Sequence, residues 1–125
     1  MKFTSAELVV QRQHDAVNAR DVEAMLAAHA HDAHQFEFPG RLLASGHPQI
    51  RQRVLRLLAD PAHHARLVSR SVFGNTVIDH LDVSRTLAEG AGRLEVIAIH
   101  VVDRGLIRTS SFLFGAEVVD ARLRA

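Results

Sequence analysis

The chain has 125 residues, 47% of them hydrophobic and 23% charged, with 7 Gly and 3 Pro; these values exclude a disordered, collagen-like or coiled-coil chain and fit one compact domain over 1–125. Fifteen Lys and Arg against fourteen Asp and Glu leave a net charge of +1, too weak a field to draw in nucleic acid or an anionic membrane. Cysteine is absent, which removes disulfides, thiolate metal sites and cysteine nucleophiles together.

Thr4-Ser5-Ala6-Glu7 has the pattern of a helix capping box, with Phe3 and Leu8 placed to staple it. The helix that follows carries Ala6, Val9, Val10, Ala16 and Val17 on one stripe, interrupted by Gln13, while His14 reads as a surface residue. Asp21 can cap a second helix whose inner row is Val22, Met25, Leu26 and His29. Ala33 to Phe38 alternates, with Phe36 and Phe38 on one side, and Pro39-Gly40 ends it before a short return strand over Arg41 to Ser45. Gly46-His47-Pro48 opens a third helix, with Ile50, Val54, Leu57 and Leu58 inside and Arg51, Arg53 and Arg56 on a solvated face.

From His64 the period changes to two. Strands over His64–Phe73, Thr76–Ser84, Arg93–Val102 and Leu106–Phe114, separated by turns at Gly74-Asn75, Glu89-Gly90 and Asp103-Arg104-Gly105, form an antiparallel meander. The order helix, helix, short hairpin, helix, long meander predicts an α+β fold with helices on one face of a curved sheet. The strand around Ala98 is apolar on both faces: Leu94, Val96, Ala98 and Val102 on one, Ile97, Ile99 and Val101 on the other, with Glu95 beside the latter. One face meets the helices, and the second predicts a homodimer through the outer sheet face.

Nothing approaches the ~20 apolar residues that cross a bilayer, and Met1 to Arg12 has no signal-like apolar run, so a soluble cytoplasmic protein without membrane contact is expected. Nine His with no Trp or Tyr is the unusual entry in the composition. His29, His31 and His34 do not share a helical face and no carboxylate set accompanies them, so no metal site is expected.

Val9-Val10-Gln11-Arg12, then Asn18-Ala19-Arg20-Asp21, then Phe36-Glu37-Phe38-Pro39, and finally the Gly105-Leu106-Ile107 to Phe114-Gly115 strand resemble the SnoaL-like, polyketide-cyclase branch of the nuclear transport factor 2-like superfamily, related to ketosteroid isomerase. The resemblance implies a cystatin-like cone: a strongly curved antiparallel sheet with three N-terminal helices on its concave side, closing an apolar cavity. Fold alone does not settle activity. The isomerase's Asp base and its Tyr and protonated-Asp oxyanion donors fall by this resemblance on Phe38, Gln13 and Ala98. Phe and Ala cannot move a proton, so steroid isomerisation is not expected.

The polar groups expected to face the cavity are therefore others. A hairpin centred on residue 89 sets His80 beside Ala98 and diagonal to His100, with both imidazoles inward; a one-residue slip turns Asp79 inward instead. His80 and His100 are the candidates for proton transfer, and Gln13, His29, Phe36, Phe38, Ala98, Ser110 and Phe112 are the expected pocket residues. The expected function is cofactor-free acid–base chemistry, as in an isomerase, cyclase or dehydratase, on a hydrophobic carbonyl compound. The alternative is a non-catalytic ligand-binding or dimerisation module whose histidines are core residues bonded to Gln13, Ser110 or water.

Overall fold

A computed structural model describes residues 4–120. The elements run α1 (Ser5–Asn18), α2 (Val22–Ala27), β1 (His29–Glu37), β2 (Arg41–Ser45), α3 (Gly46–Leu58), β3 (His64–Phe73), β4 (Thr76–Leu87), β5 (Gly90–Asp103) and β6 (Leu106–Val119). The six strands form one sheet in the order β2-β1-β6-β5-β4-β3. All neighbours are antiparallel except β1 against β6, which pair in parallel. That parallel pair is the one departure from the expected antiparallel sheet, and it arises because β1 and β6 meet through a long crossover rather than a hairpin.

The cap of α1 forms as its sequence dictates: Glu7 N–H donates to Thr4 Oγ1 at 3.1 Å and Thr4 N–H to Glu7 Oε1 at 3.2 Å. Phe3, the other half of the staple, lies outside the described residues. Asp21 caps α2 by accepting from Ala24 N–H at 3.0 Å, but α2 ends at Ala27. His29 therefore opens β1 instead of extending the helical row, and it is buried there.

The buried apolar residues divide into three clusters. One joins α1, α2 and α3 to β1 and β2 through Met25, Leu26, Ala33, Ile50 and Val54. A second packs α1 on the sheet through Val9, Val10, Val77, Val102 and Ile107. The third, Ala65, Val83, Leu94 and Val96, lies on the far part of the sheet. Between the first and third the helices and the curved sheet stand apart, and a hollow replaces a continuous core. Among the described residues no helix is long and apolar enough to cross a membrane.

The β4–β5 register decides which side chains see that hollow. Leu87 pairs with Gly90 across a two-residue turn, Ala88-Glu89, and the ladder continues with Asp79 opposite Ala98 and His80 opposite Ile97. Gly90 takes a positive φ of 124° there, a conformation that costs glycine little. The turn thus centres half a residue earlier than expected, and since side chains alternate, the slip exchanges the faces of β4. Val77, Asp79 and Val83 are buried on the concave side.

Candidate functional site

The hollow is a cavity of about 500 Å³ between the three helices and the concave sheet face. Its walls are mostly apolar, with Val17, Met25, Val54, Leu81, Val96 and Phe112 among them. Polar groups come from the helices and the rim, Gln13, His14, Arg53, Arg56, Asp60, His63, Arg85 and Glu117, and from a band across β1, β6, β5, β4 and β3. Gln35 pairs with Ser110 and Ser110 with His100, while Ala98, the neighbour of Phe112, pairs with Asp79, and Asp79 with Arg70.

His100 is the centre of the band. It is buried, lines the cavity, and shares its Nδ1 with Ser110 Oγ at 2.7 Å. The Ser110 hydroxyl can accept from Nδ1–H or donate to bare Nδ1, so Nε2 presents a lone pair in one tautomer and an N–H in the other. Nε2 itself has no protein partner among the described residues. Burial pushes the imidazole down to about 4, against a smaller upward pull from Asp79, so the ring is neutral at pH 7.

A second imidazole comes from α1. His14 lines the cavity, half-buried, and burial holds it below the ordinary imidazole range. Its tautomer is set by Asn18, whose side-chain amide is fixed by Ala65: Nδ2 donates to Ala65 O at 2.8 Å and Oδ1 accepts from Ala65 N–H at 2.9 Å. Asn18 Nδ2 therefore faces His14 Nε2 as a donor at 3.3 Å, which leaves the His14 proton on Nδ1, without a protein partner among the described residues. Gln13 also lines the cavity, and its amide likewise has no partner there.

Asp79, the inward carboxylate, is 2% exposed and closed off by Arg70: Nε–Oδ1 is 2.6 Å and Nη2–Oδ2 is 3.0 Å. Arg70 Nη1 in turn donates to Gln11 Oε1 at 2.8 Å, tying α1 to the sheet. The carboxylate holds Arg70 above the usual guanidinium range by its hydrogen bonds.

Several expected site residues lie elsewhere. His80 is on the convex face, with Nε2 3.0 Å from Glu95 Oε2, because of the register slip. His29 does not reach the cavity: its Nδ1 bonds Met25 O at 2.9 Å and its Nε2 is buried without a partner. Phe36 falls on the other side of β1 from buried Gln35, stacked on His34 with centroids 6.0 Å apart, and Phe38 is 53% exposed in the turn after β1. Ser110 stands behind His100 rather than in the lining. Gln13, Ala98, His100 and Phe112 line the cavity. The sequence reading missed His14 and Arg53, both polar residues on otherwise apolar helical stripes. Among the described residues no three His, Asp or Glu side chains gather to hold a metal ion.

The SnoaL-like domain model matches residues 10–109, which contain every strand up to β5 and the start of β6. The chain belongs to the SnoaL-like domain family. No curated protein matches its sequence. Among solved structures, this SnoaL-like domain is similar to an NTF2-like protein of unknown function from Burkholderia pseudomallei, at 16% identity and a TM-score of 0.79 over 90% of this chain and 92% of that one. It is also similar to an LEH-like epoxide hydrolase from M. tuberculosis, at 15% identity and a TM-score of 0.74 over 89% and 83%. A provisionally named polyketide cyclase from Sinorhizobium meliloti shares 20% identity and a TM-score of 0.71 over 88% and 99%. At these identities the likeness speaks for the fold, a six-stranded curved sheet with helices of the cystatin and NTF2-like kind.

Proposed function

We propose that this SnoaL-like domain binds a hydrophobic carbonyl compound in its cavity and moves a proton within it, as a cofactor-free isomerase, cyclase or dehydratase does. The observation that carries the reading is His100 Nε2, a neutral and unpartnered base in a greasy enclosure. His100 removes the proton beside the carbonyl, the C–H electron pair passes to the carbonyl oxygen, and N–H donors from Gln13 and His14 hold the resulting oxyanion. The imidazolium, a strong acid in this setting, returns its proton at another atom of the same molecule. Asp79 takes no part as a base because Arg70 occupies both its oxygens. That engagement is also the feature favouring the other reading, a cavity that binds without chemistry.

Exchange of the α-protons of 2-decalone and 1-tetralone in D2O, followed by NMR, tests this. The protein is expected to exceed an equal concentration of free imidazole by roughly a hundredfold. In His100→Ala exchange should fall to background while ketone affinity stays within about tenfold. Exchange no faster than imidazole, or unchanged in His100→Ala, would establish the binding module instead.

The same reading includes a homodimer through the convex face, supported by Ile78, Ile97, Ile99, Val101 and Leu113. Ile97, Ile99 and Val101 follow one another along β5 with no polar residue between them on that face, Ile78 pairs with Ile99 and Leu113 with Ile97, and His80, Thr76, Ser111 and Thr109 border them. Sedimentation at micromolar concentration should give a dimer, and Ile97→Glu a monomer. A wild-type monomer removes this part.

A further inference from the structure

Arg53 of α3 lies on the inner stripe with Ile50, Val54 and Leu57 and reaches into the cavity. Its guanidinium lies over the Phe112 ring, 4.8 Å from the centroid, and Nη1 donates to Gln35 Oε1 at 3.0 Å. Among the described residues Nε and Nη2 have no partner and no carboxylate lies within ion-pair distance. Arg41, Arg51, Arg66 and Arg108 are each paired with a carboxylate, whereas Arg53, like Arg56 and Arg85 in the same cavity lining, has no carboxylate partner among the described residues, and an unpaired guanidinium costs most where it is desolvated. Burial, and then the like charge of Arg56, push it down to about 10, so it remains a cation at pH 7. The cavity's own carboxylates do not answer it. Asp79 belongs to Arg70, Asp60 accepts from Thr86 and Ala62, and Glu117 forms no ion pair with the described residues.

We infer that the missing counter-charge belongs to the ligand: the cavity takes an amphipathic oxo acid, its carboxylate gripped by the free edge of Arg53 and its carbonyl end directed to His100. This rests on the reading above for the role of His100 and goes beyond it in naming the charged end. The spacing suits one small molecule. The Phe112 ring is edge-on to His100 with centroids 6.2 Å apart, and that leg together with the 4.8 Å leg from Arg53 caps the guanidinium-to-imidazole separation at 11.0 Å. A planar fork over an aromatic face, with two donors pointing the same way, matches a carboxylate bidentately.

Calorimetric titration with 4-oxo-4-phenylbutanoate and with its methyl ester decides the matter. The wild type should bind the acid at least about tenfold more tightly than the ester. Arg53→Met, which keeps the apolar stem over Phe112, should bring the two within about threefold, chiefly by weakening the acid, and Arg53→Lys should keep part of the preference. Equal binding of acid and ester by the wild type, no binding of the acid, or a preference that survives Arg53→Met overturns the inference; the first two need no variant to fold. These are binding constants alone. Their failure leaves ketone exchange by His100 standing, and failure of that exchange leaves an acid preference standing.

Discussion

Replacing Arg70 by methionine is expected to cost about 3–5 kcal/mol of folding stability, the usual loss when a buried ion pair is broken from one side. The Arg70 and Asp79 side chains are 8% and 2% exposed, so a lone Asp79 would sit charged in a nearly dry site with neither oxygen satisfied. The Gln11 contact goes too, and with it the polar link from α1 to the sheet. For a chain of this size the loss corresponds to a fall in Tm of roughly 10 °C or more. The same physics makes one further outcome specific. The double variant Arg70→Met with Asp79→Leu, which fills the site without charge, should recover most of the loss. Urea midpoints for the two variants decide it: a single variant within about 1 kcal/mol of wild type, or a double variant no better than the single, contradicts a buried pair.

That pair was within reach of the sequence. The Gly74-Asn75 turn sets Phe73 opposite Thr76, and counting outward along β3 and β4 brings Arg70 opposite Asp79. The parity of β4 was legible too: Val77, Leu81 and Val83 share the Asp79 side, whereas His80 shares its side with Asp82 and Ser84. Weighing apolar content, instead of relying on the assumed centre of the next turn, places Asp79 inward and His80 outward. On the helices, His14 follows Val10 by four and Arg53 follows Ile50 by three, so both fall on buried stripes. A prior for charged residues at the surface hid positions that the period alone would have kept. The elements themselves were clear because they rest on local chemistry: the capping box of α1, the bounds of β2 at Arg41–Ser45, and the two-sided apolar pattern of β5. What local chemistry does not contain is the parallel pairing of β1 with β6 and the hollow between two clusters, since both depend on residues distant in the chain.

Stability should fall as the solution is acidified from pH 7.5 to 5, and His100 should account for about 2 kcal/mol of that fall. The sign follows from the ring's depressed folded value. Its pKa is about 4 when folded, against an ordinary 6.5, so the unfolded chain binds the proton more readily. Above 6.5 both states are neutral at this residue and its stabilisation is intact; between 6.5 and 4 each unit of pH removes up to about 1.4 kcal/mol. Below 4 both are protonated, the change ends, and the whole window amounts to about 3 kcal/mol. His14, His29 and His63, also held below the ordinary range chiefly by burial, act in the same direction. Asp60, whose carboxyl is kept below its usual value by N–H donation from Thr86 and Ala62, loses its contribution only at lower pH and stays out of this interval. The decisive comparison is between wild type and His100→Leu, each measured by urea unfolding at both pH values. The variant's absolute stability reflects a lost Ser110 partner, but its pH dependence should be shallower by about 2 kcal/mol over the interval. Parallel pH profiles would mean that His100 is not a buried neutral base, and the proposed chemistry would lose its central group.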